Sequence, residues 1–222
     1  AAFAALHMNI LELFSGSRSI GKEAEKLSMR VFSTDVEPFA NIDLVKDIRN
    51  VKYSDVPFIP DVIWASPPCT SFSILSCRFH WKKEGEVYTP KTEKGTLGIL
   101  LVQKTLSIIR HYQKLNPNLI WYIENPRGLL RKMPIMQHLL RHTVTYCQYG
   151  DTRMKPTDIW TNNTAWRPKA MCKNGSPCHI ACPRGSSTGT VGLSNSYERS
   201  KIPPKLCKEL LIAAIIRLRD MN

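Results

Sequence analysis

The residues best suited to chemistry in this chain stand at the ends of short apolar runs. Cys69 lies in Ala65-Ser66-Pro67-Pro68-Cys69-Thr70-Ser71-Phe72-Ser73, directly after the run Asp61-Val62-Ile63-Trp64-Ala65. Two prolines fix φ and withdraw two N–H donors, so neither helix nor sheet pairing continues and the thiol stands at a rigid corner. A thiol so placed is a candidate nucleophile, active as its thiolate. The plainer alternative is that Cys69 packs like any of the seven cysteines. Glu124-Asn125-Pro126 follows a second run, Leu119-Ile120-Trp121-Tyr122-Ile123, and offers a carboxyl group for proton transfer. Asp35 ends a third run, where a carboxylate can hold two ribose hydroxyls or simply be a solvated loop acid. Leu11-Glu12-Leu13-Phe14-Ser15-Gly16-Ser17-Arg18 leads from a fourth run into a Gly-containing turn, which lets backbone approach a nucleotide-like ligand.

The elements that must position these groups follow from the hydrophobic pattern. Strands are expected at 9–14, 29–34, 44–48, 61–65 and 119–123, with helices at 19–27 and 96–115. Pro203 opens an amphipathic C-terminal helix bearing Leu206, Leu210, Leu211, Ala214, Ile215 and Leu218; proline suits a helix start because its missing N–H has no intrahelical partner there. Strands alternating with helices imply an α/β fold with a mostly parallel sheet, whose ligands gather at the C-terminal ends of the strands.

Lys and Arg number 31 against 18 Asp and Glu, a formal net charge of +13, so a polyanion is the natural partner and nucleic acid the first candidate. No apolar run approaches the roughly 20 residues of a membrane span. Ala1-Ala2-Phe3-Ala4-Ala5-Leu6-His7 precedes Met8 without a basic stretch and is expected to be an added remnant outside the fold. An odd cysteine count with no secretion signal points to reduced thiols in a cytoplasm. Residues 8–162 read as the catalytic domain. Residues 163–197, rich in Gly, Ser, Pro and Cys, read as a small inserted module, and 198–222 as a helix returning to the domain.

Taken in order, these blocks resemble the cytosine-5 DNA methyltransferases that use S-adenosylmethionine. The Phe14-Ser15-Gly16-Ser17 turn is similar to that family's first motif, and Asp35 stands at its ribose-binding acid. Asp47-Ile48 resembles the adenine-contacting pair. Pro68-Cys69 with Phe72-Ser73 resembles the nucleophile motif, Gly95-Thr96-Leu97 the motif opening the next helix, and Glu124-Asn125 the catalytic Glu-Asn pair. Ile202-Pro203-Pro204 resembles the final motif. The matches run in family order over nearly the whole chain. The resemblance implies a Rossmann-like methyltransferase fold, a mixed sheet with helices on both faces and a small recognition module. It implies S-adenosylmethionine as cofactor, bound by Phe14, Gly16, Ser17, Asp35, Val36, Asp47, Ile48, Pro68, Leu97 and Ser200. Catalysis would rest on Cys69, Glu124, Asn125 and Lys155. The Cys69 thiolate would add to C6 of a flipped-out cytosine while Glu124 protonates N3. Double-stranded DNA is the expected partner, touched by Ser73, Arg78, Lys82, Lys83, Arg153 and Arg184, with residues 73–94 a mobile basic loop that closes over the base.

The chain departs from the family pattern in places. Lys155 and Thr157 stand where two arginines are usual, Ser200 replaces an asparagine, and Val36 replaces an aromatic. The recognition module is short, so a site of roughly two to four base pairs is expected. It carries Cys172, Cys178, His179 and Cys182, which could hold zinc and staple a fragment too small to fold by burial. The alternative is reduced structural thiols with a hydrogen-bonding His179, since adjacent Cys178 and His179 share one ion with difficulty. By analogy, so compact an enzyme suggests a phage or mobile element, working as a monomer in a bacterial cytoplasm and protecting DNA from nucleases. Rival readings are a tRNA cytosine methyltransferase, a non-catalytic DNA-binding relative, and a donor that leaves a larger group on C5.

Overall fold

The computed structural model describes residues 8–181, 193 and 195–221. Residues 1–7, Cys182 and Arg184 lie outside the described residues. In chain order the elements are β1 (Asn9–Leu13), α1 (Ser19–Lys26), β2 (Arg30–Asp35), β3 (Leu44–Val45), β4 (Val62–Ala65), α2 (Cys77–His80), β5 (Trp81–Glu84), β6 (Val87–Pro90), α3 (Glu93–Leu115), β7 (Ile120–Pro126), α4 (Pro134–Gln137), β8 (Arg141–Thr145), β9 (Pro156–Thr161), α5 (Ser196–Ser200) and α6 (Pro204–Asp220). Seven strands form one sheet in the order β3-β2-β1-β4-β7-β9-β8. The first five are parallel, and β9 runs antiparallel between β7 and β8. The expected mixed sheet is therefore present.

Both faces of the sheet are covered, which is why its strands read as continuous apolar runs rather than alternating ones. Leu11, Leu13, Ile63, Ala65, Trp121 and Ile123 point to the face covered by α3. Ile10, Val62, Trp64, Ile120 and Tyr122 point to the other, covered by α1 and α6. On α6, Leu206, Leu210 and Leu211 are fully buried, each contributing roughly 2 kcal/mol of burial. The Tyr122 hydroxyl, donating to the Leu210 carbonyl at 3.1 Å, ties the helix to β7.

Register brings the chemical groups together. Leu13 pairs with Thr34 on one side and Ala65 on the other, and Ala65 pairs with Ile123. The next residue along each strand path is Phe14, Asp35, Ser66 and Glu124, all at one edge of the sheet.

Three expectations change. Residues 73–94 are not a plain loop: they form α2 and the β5–β6 hairpin. Buried Trp81 stacks on Phe72 at 5.5 Å and donates its indole N–H to the Ser71 carbonyl, which fastens the hairpin to the Cys69 corner. Second, Asn163 and Trp166 are buried in the core, so the segment without core contacts begins at 167 rather than 163. Third, β8 and β9, which the apolar pattern did not indicate, extend the sheet beyond β7. Among the described residues no helix is long and apolar enough to cross a membrane.

Candidate active site

The turn after β1 is built from left-handed backbone, with φ of 55° at Phe14, 48° at Gly16 and 53° at Arg18. Asp35 holds it: its Oδ2 accepts the Gly16 N–H at 2.8 Å and its Oδ1 the Glu37 N–H at 3.0 Å. Beneath the turn lies a residue whose role the sequence did not suggest. Glu12 is buried, and its Oε1 accepts the Ile20 and Gly21 N–H groups at 3.2 and 3.1 Å, capping the first turn of α1 from the strand side. Its Oε2 accepts from the Ser33 hydroxyl, which in turn accepts from Arg18 Nε. Burial outweighs these donors and pushes the Glu12 carboxyl up to about 7.

Cys69 follows two prolines at the end of β4, as expected. Asn125 fixes this corner by donating its amide N–H to the Pro67 carbonyl at 2.8 Å. The Phe72 carbonyl accepts the Leu129 N–H at 2.7 Å, binding the same turn to the chain after β7. Burial pushes the Cys69 thiol up, and the Glu124 carboxylate adds to this, while Lys155 and Arg199 pull it back.

Glu124 is buried. Burial raises its carboxyl above the ordinary range, opposed by Lys155 and by hydrogen bonds from Tyr146 and Ser66. The Tyr146 hydroxyl donates to Glu124 Oε1 at 3.0 Å. Ser66 accepts the Trp64 indole N–H at 2.8 Å, so a short relay of donors runs to the carboxyl.

Among the described residues lining the cavity, Lys155 is the one cation. Its Nζ donates to the Arg199 carbonyl at 2.8 Å and lies 4.9 Å from the centre of the Tyr146 ring. Burial lowers its ammonium pKa while Glu124 and Cys69 raise it. Its φ of 28° lies in the left-handed region and directly before Pro156, a combination that disfavours a side-chain-bearing residue. Strain of this kind persists where surrounding contacts fix the position, often at functional sites.

One cavity of ≈ 230 Å³ collects these groups. Phe14, Gly16, Ser17, Asp35, Val36 and Pro68 line it together with Cys69, Glu124, Lys155 and Ser200. It shares Ser17, Ser19 and Ile202 with a wider cleft of ≈ 860 Å³ beside α1. The remaining expected cofactor residues are not among its walls. Ile48 packs in the core, Asp47 is engaged by the Arg49 side chain and caps a short turn, and Leu97 lines a separate cleft with Arg49 and Lys94. Arg78, Lys82 and Lys83 are exposed on α2 and the hairpin, as a phosphate contact requires, while Ser73 bonds Ser76. Arg153 differs from expectation. It is buried, paired with Asp151, and donates to the carbonyls of Arg199 and Lys201 at 3.0 and 3.2 Å. Its guanidinium is engaged in anchoring the segment before α6.

The sheet order, the cavity at the parallel strand ends and the antiparallel β9 define the fold class of the S-adenosylmethionine-dependent methyltransferases. No protein-family model matches the chain. A Frog virus 3 protein described as a "probable DNA (cytosine-5)-methyltransferase" is 26% identical over 225 residues, spanning 92% of this chain and 99% of its own. Among solved structures, the methyltransferase EhMeth of Entamoeba histolytica superposes with a TM-score of 0.51 at 12% identity over 73% of this chain. A mutant DNMT2 of Spodoptera frugiperda gives 0.46 at 16% identity over 78%. The chain spans 55% and 57% of those two proteins, about half their length. The chain thus resembles the cytosine-5 DNA methyltransferases in its ordered motifs and in a viral relative that it matches almost end to end.

Proposed function

We propose that this protein transfers the methyl group of S-adenosylmethionine to C5 of cytosine in double-stranded DNA. The observation that carries this reading is the meeting of Cys69, Glu124 and Lys155 on one cavity whose far wall is the Gly16 turn and Asp35. Those walls suit the cofactor: a carboxylate at a strand end, a left-handed turn with little side-chain bulk, and a thiol opposite. When bound, S-adenosylmethionine supplies an electrophilic methyl group.

The protein's own groups do the rest. Cytosine C5 is a poor nucleophile until something adds at C6. The Cys69 thiolate forms a bond to C6, and the neutral Glu124 carboxyl gives its proton to N3, which accepts the displaced electron pair. The Glu124 shift favours this division of labour, whereas burial of Cys69 works against its thiolate, which the Lys155 cation must offset. Burial favours the protonated form of Glu124, and once neutral it no longer opposes ionisation of Cys69. Lys155 then offsets the negative charge of the Cys69 thiolate. Asn125 and Ser66 orient the corner and the carboxyl. After transfer, the C5 proton goes to solvent, the thiolate is expelled, and N3 returns its proton to Glu124, so that both groups are restored. Exposed Ile74, Leu75 and Phe79 beside Arg78, Lys82 and Lys83 form an apolar and basic rim suited to phosphates and to a disturbed base stack. The thin module after Trp166 supports a short recognition sequence, and we read the protein as a monomer. The viral source of the Frog virus 3 relative supports a viral or mobile-element enzyme acting inside a host cell.

Nucleoside mass spectrometry tests the reading. Duplex DNA and tRNA are each incubated with S-adenosylmethionine and either wild type or Cys69→Ala. The expected result is 5-methylcytosine in DNA from wild type only. Modified cytosine in tRNA alone, or none from a folded wild type that binds the cofactor, refutes it.

A further inference from the structure

The segment 167–181 has a stability problem. Among these residues none is buried and none lies in a helix or strand. Its backbone is tied to the domain through the Lys169 N–H to the Tyr149 hydroxyl at 2.9 Å, the Cys172 N–H to Thr145 Oγ1 at 3.0 Å, and the Ile180 N–H to the Thr152 carbonyl at 2.9 Å. All three bonds end on the strip 145–152. A stretch that buries so little cannot offset the entropy of ordering itself, and chains in this position are commonly stapled by a metal or disulfides.

We propose that Cys147, Cys172, Cys178 and His179 form a zinc site that clamps this segment to the catalytic domain. The three sulfurs and one imidazole nitrogen lie within 4.8 Å of one another. Cys147, from the strip itself, is the ligand that takes the place expected of Cys182. Cys172 Sγ and Cys178 Sγ lie 3.7 and 3.6 Å from His179 Nδ1. Tetrahedral zinc, with bonds of ~2.3 Å to sulfur and ~2.0 Å to nitrogen, sets a sulfur and a nitrogen about 3.6 Å apart. The adjacency of Cys178 and His179 is thus no obstacle. Cys147 Sγ and Cys172 Sγ are 3.0 Å apart, both free thiols, and separate to about 3.8 Å when an ion stands between them. Three thiolates and an imidazole select zinc over the hard cations. Cys147 directly follows Tyr146, which holds Glu124, so the ion also braces the wall of the cavity.

The test is metal content of the full chain, grown with zinc and purified without chelator. One zinc per chain is expected, lost in Cys147→Ser and kept in Cys182→Ser. Because Cys147→Ser could fail to fold, wild type is also loaded with cobalt, and the charge-transfer and visible bands of a tetrahedral three-thiolate site are expected. Chelator treatment should open the bonds after Lys169 and Lys173 to trypsin. A folded wild type with negligible zinc and no such cobalt spectrum overturns the proposal. So does zinc that survives Cys147→Ser but not Cys182→Ser, or a Cys147–Cys172 disulfide in the protein as purified.

Discussion

Glu12→Gln isolates one buried charge and predicts a change of slope with pH. Glu12 has an ordinary value of 4.5, and burial in the folded protein lifts it to about 7. The folded state therefore holds this proton more tightly than the unfolded chain. The stability it contributes is complete below 4.5 and is lost as the pH rises through about 7. Integrating between about pH 5 and pH 8, wild type should lose about 2.5 kcal/mol through this group. Glutamine has nearly the same shape. Its carbonyl can still accept the Ile20 and Gly21 N–H groups, and its amide can donate to Ser33, but it binds no proton in this range. Other shifted groups, Glu124 among them, are common to both proteins and cancel in the comparison. Urea unfolding followed by tryptophan fluorescence across this range measures the effect. With a slope of about 2 kcal/mol per molar urea, the midpoint difference between wild type and variant should change by roughly 1 M. Two curves that run parallel across the range would show that the α1 cap and Arg18 outweigh burial, and the argument for a protonated Glu12 would fail.

Two further substitutions test the cavity. Lys155→Met removes the cation that restrains the raised pKa of both Cys69 and Glu124, so the whole rate-against-pH profile should move to higher pH. Each unit of that movement costs about tenfold at neutral pH, and an unmoved profile would deny Lys155 its electrostatic role. Gly128→Ala would set a Cβ 2.3 Å from the Phe72 carbonyl oxygen, which is backbone of the turn after Cys69 and cannot step aside. A loss of ~1–3 kcal/mol is expected by thermal unfolding, with a fall in turnover; unchanged values would mean that the turn is looser than its contacts imply.

The strand ends were legible because each combined an apolar run with a residue that stops it: Phe14-Ser15-Gly16, Asp35, Pro67-Pro68 and Glu124-Asn125-Pro126. What composition hides is pairing over distance. In β9, Asp158 is fully buried in mid-strand, which breaks the apolar pattern; its charge is matched by Arg131, whose Nε donates at 2.8 Å from 27 residues away. β8, Arg141-His142-Thr143-Val144-Thr145, reads as polar for the same reason. Cys147 stood apart from the module cysteines by 25 residues in sequence and lies beside Cys172 in space. Trp81 looked like part of a basic loop until its stacking on Phe72 turned that loop into a hairpin.

Lys155 shows most clearly what such long-range contacts decide. Its type was noticed as a departure from the arginine usual there, but its placement depends on three separate segments. The Arg199 carbonyl holds its Nζ, the Tyr146 ring lies under it, and Pro156 follows it at the start of β9. The Arg199 carbonyl is itself fixed by Arg153, which donates to the same oxygen and to that of Lys201. The segment before α6 therefore does more than close a cavity wall with Ser200. Through Arg153 and Lys155 it fixes the position of the cation that bears on Cys69 and Glu124. An arginine at 155, longer and with a planar fork, would not fit between the Arg199 carbonyl and the Tyr146 ring in the same way. Lysine in that place agrees with a point charge shared between one thiol and one carboxyl.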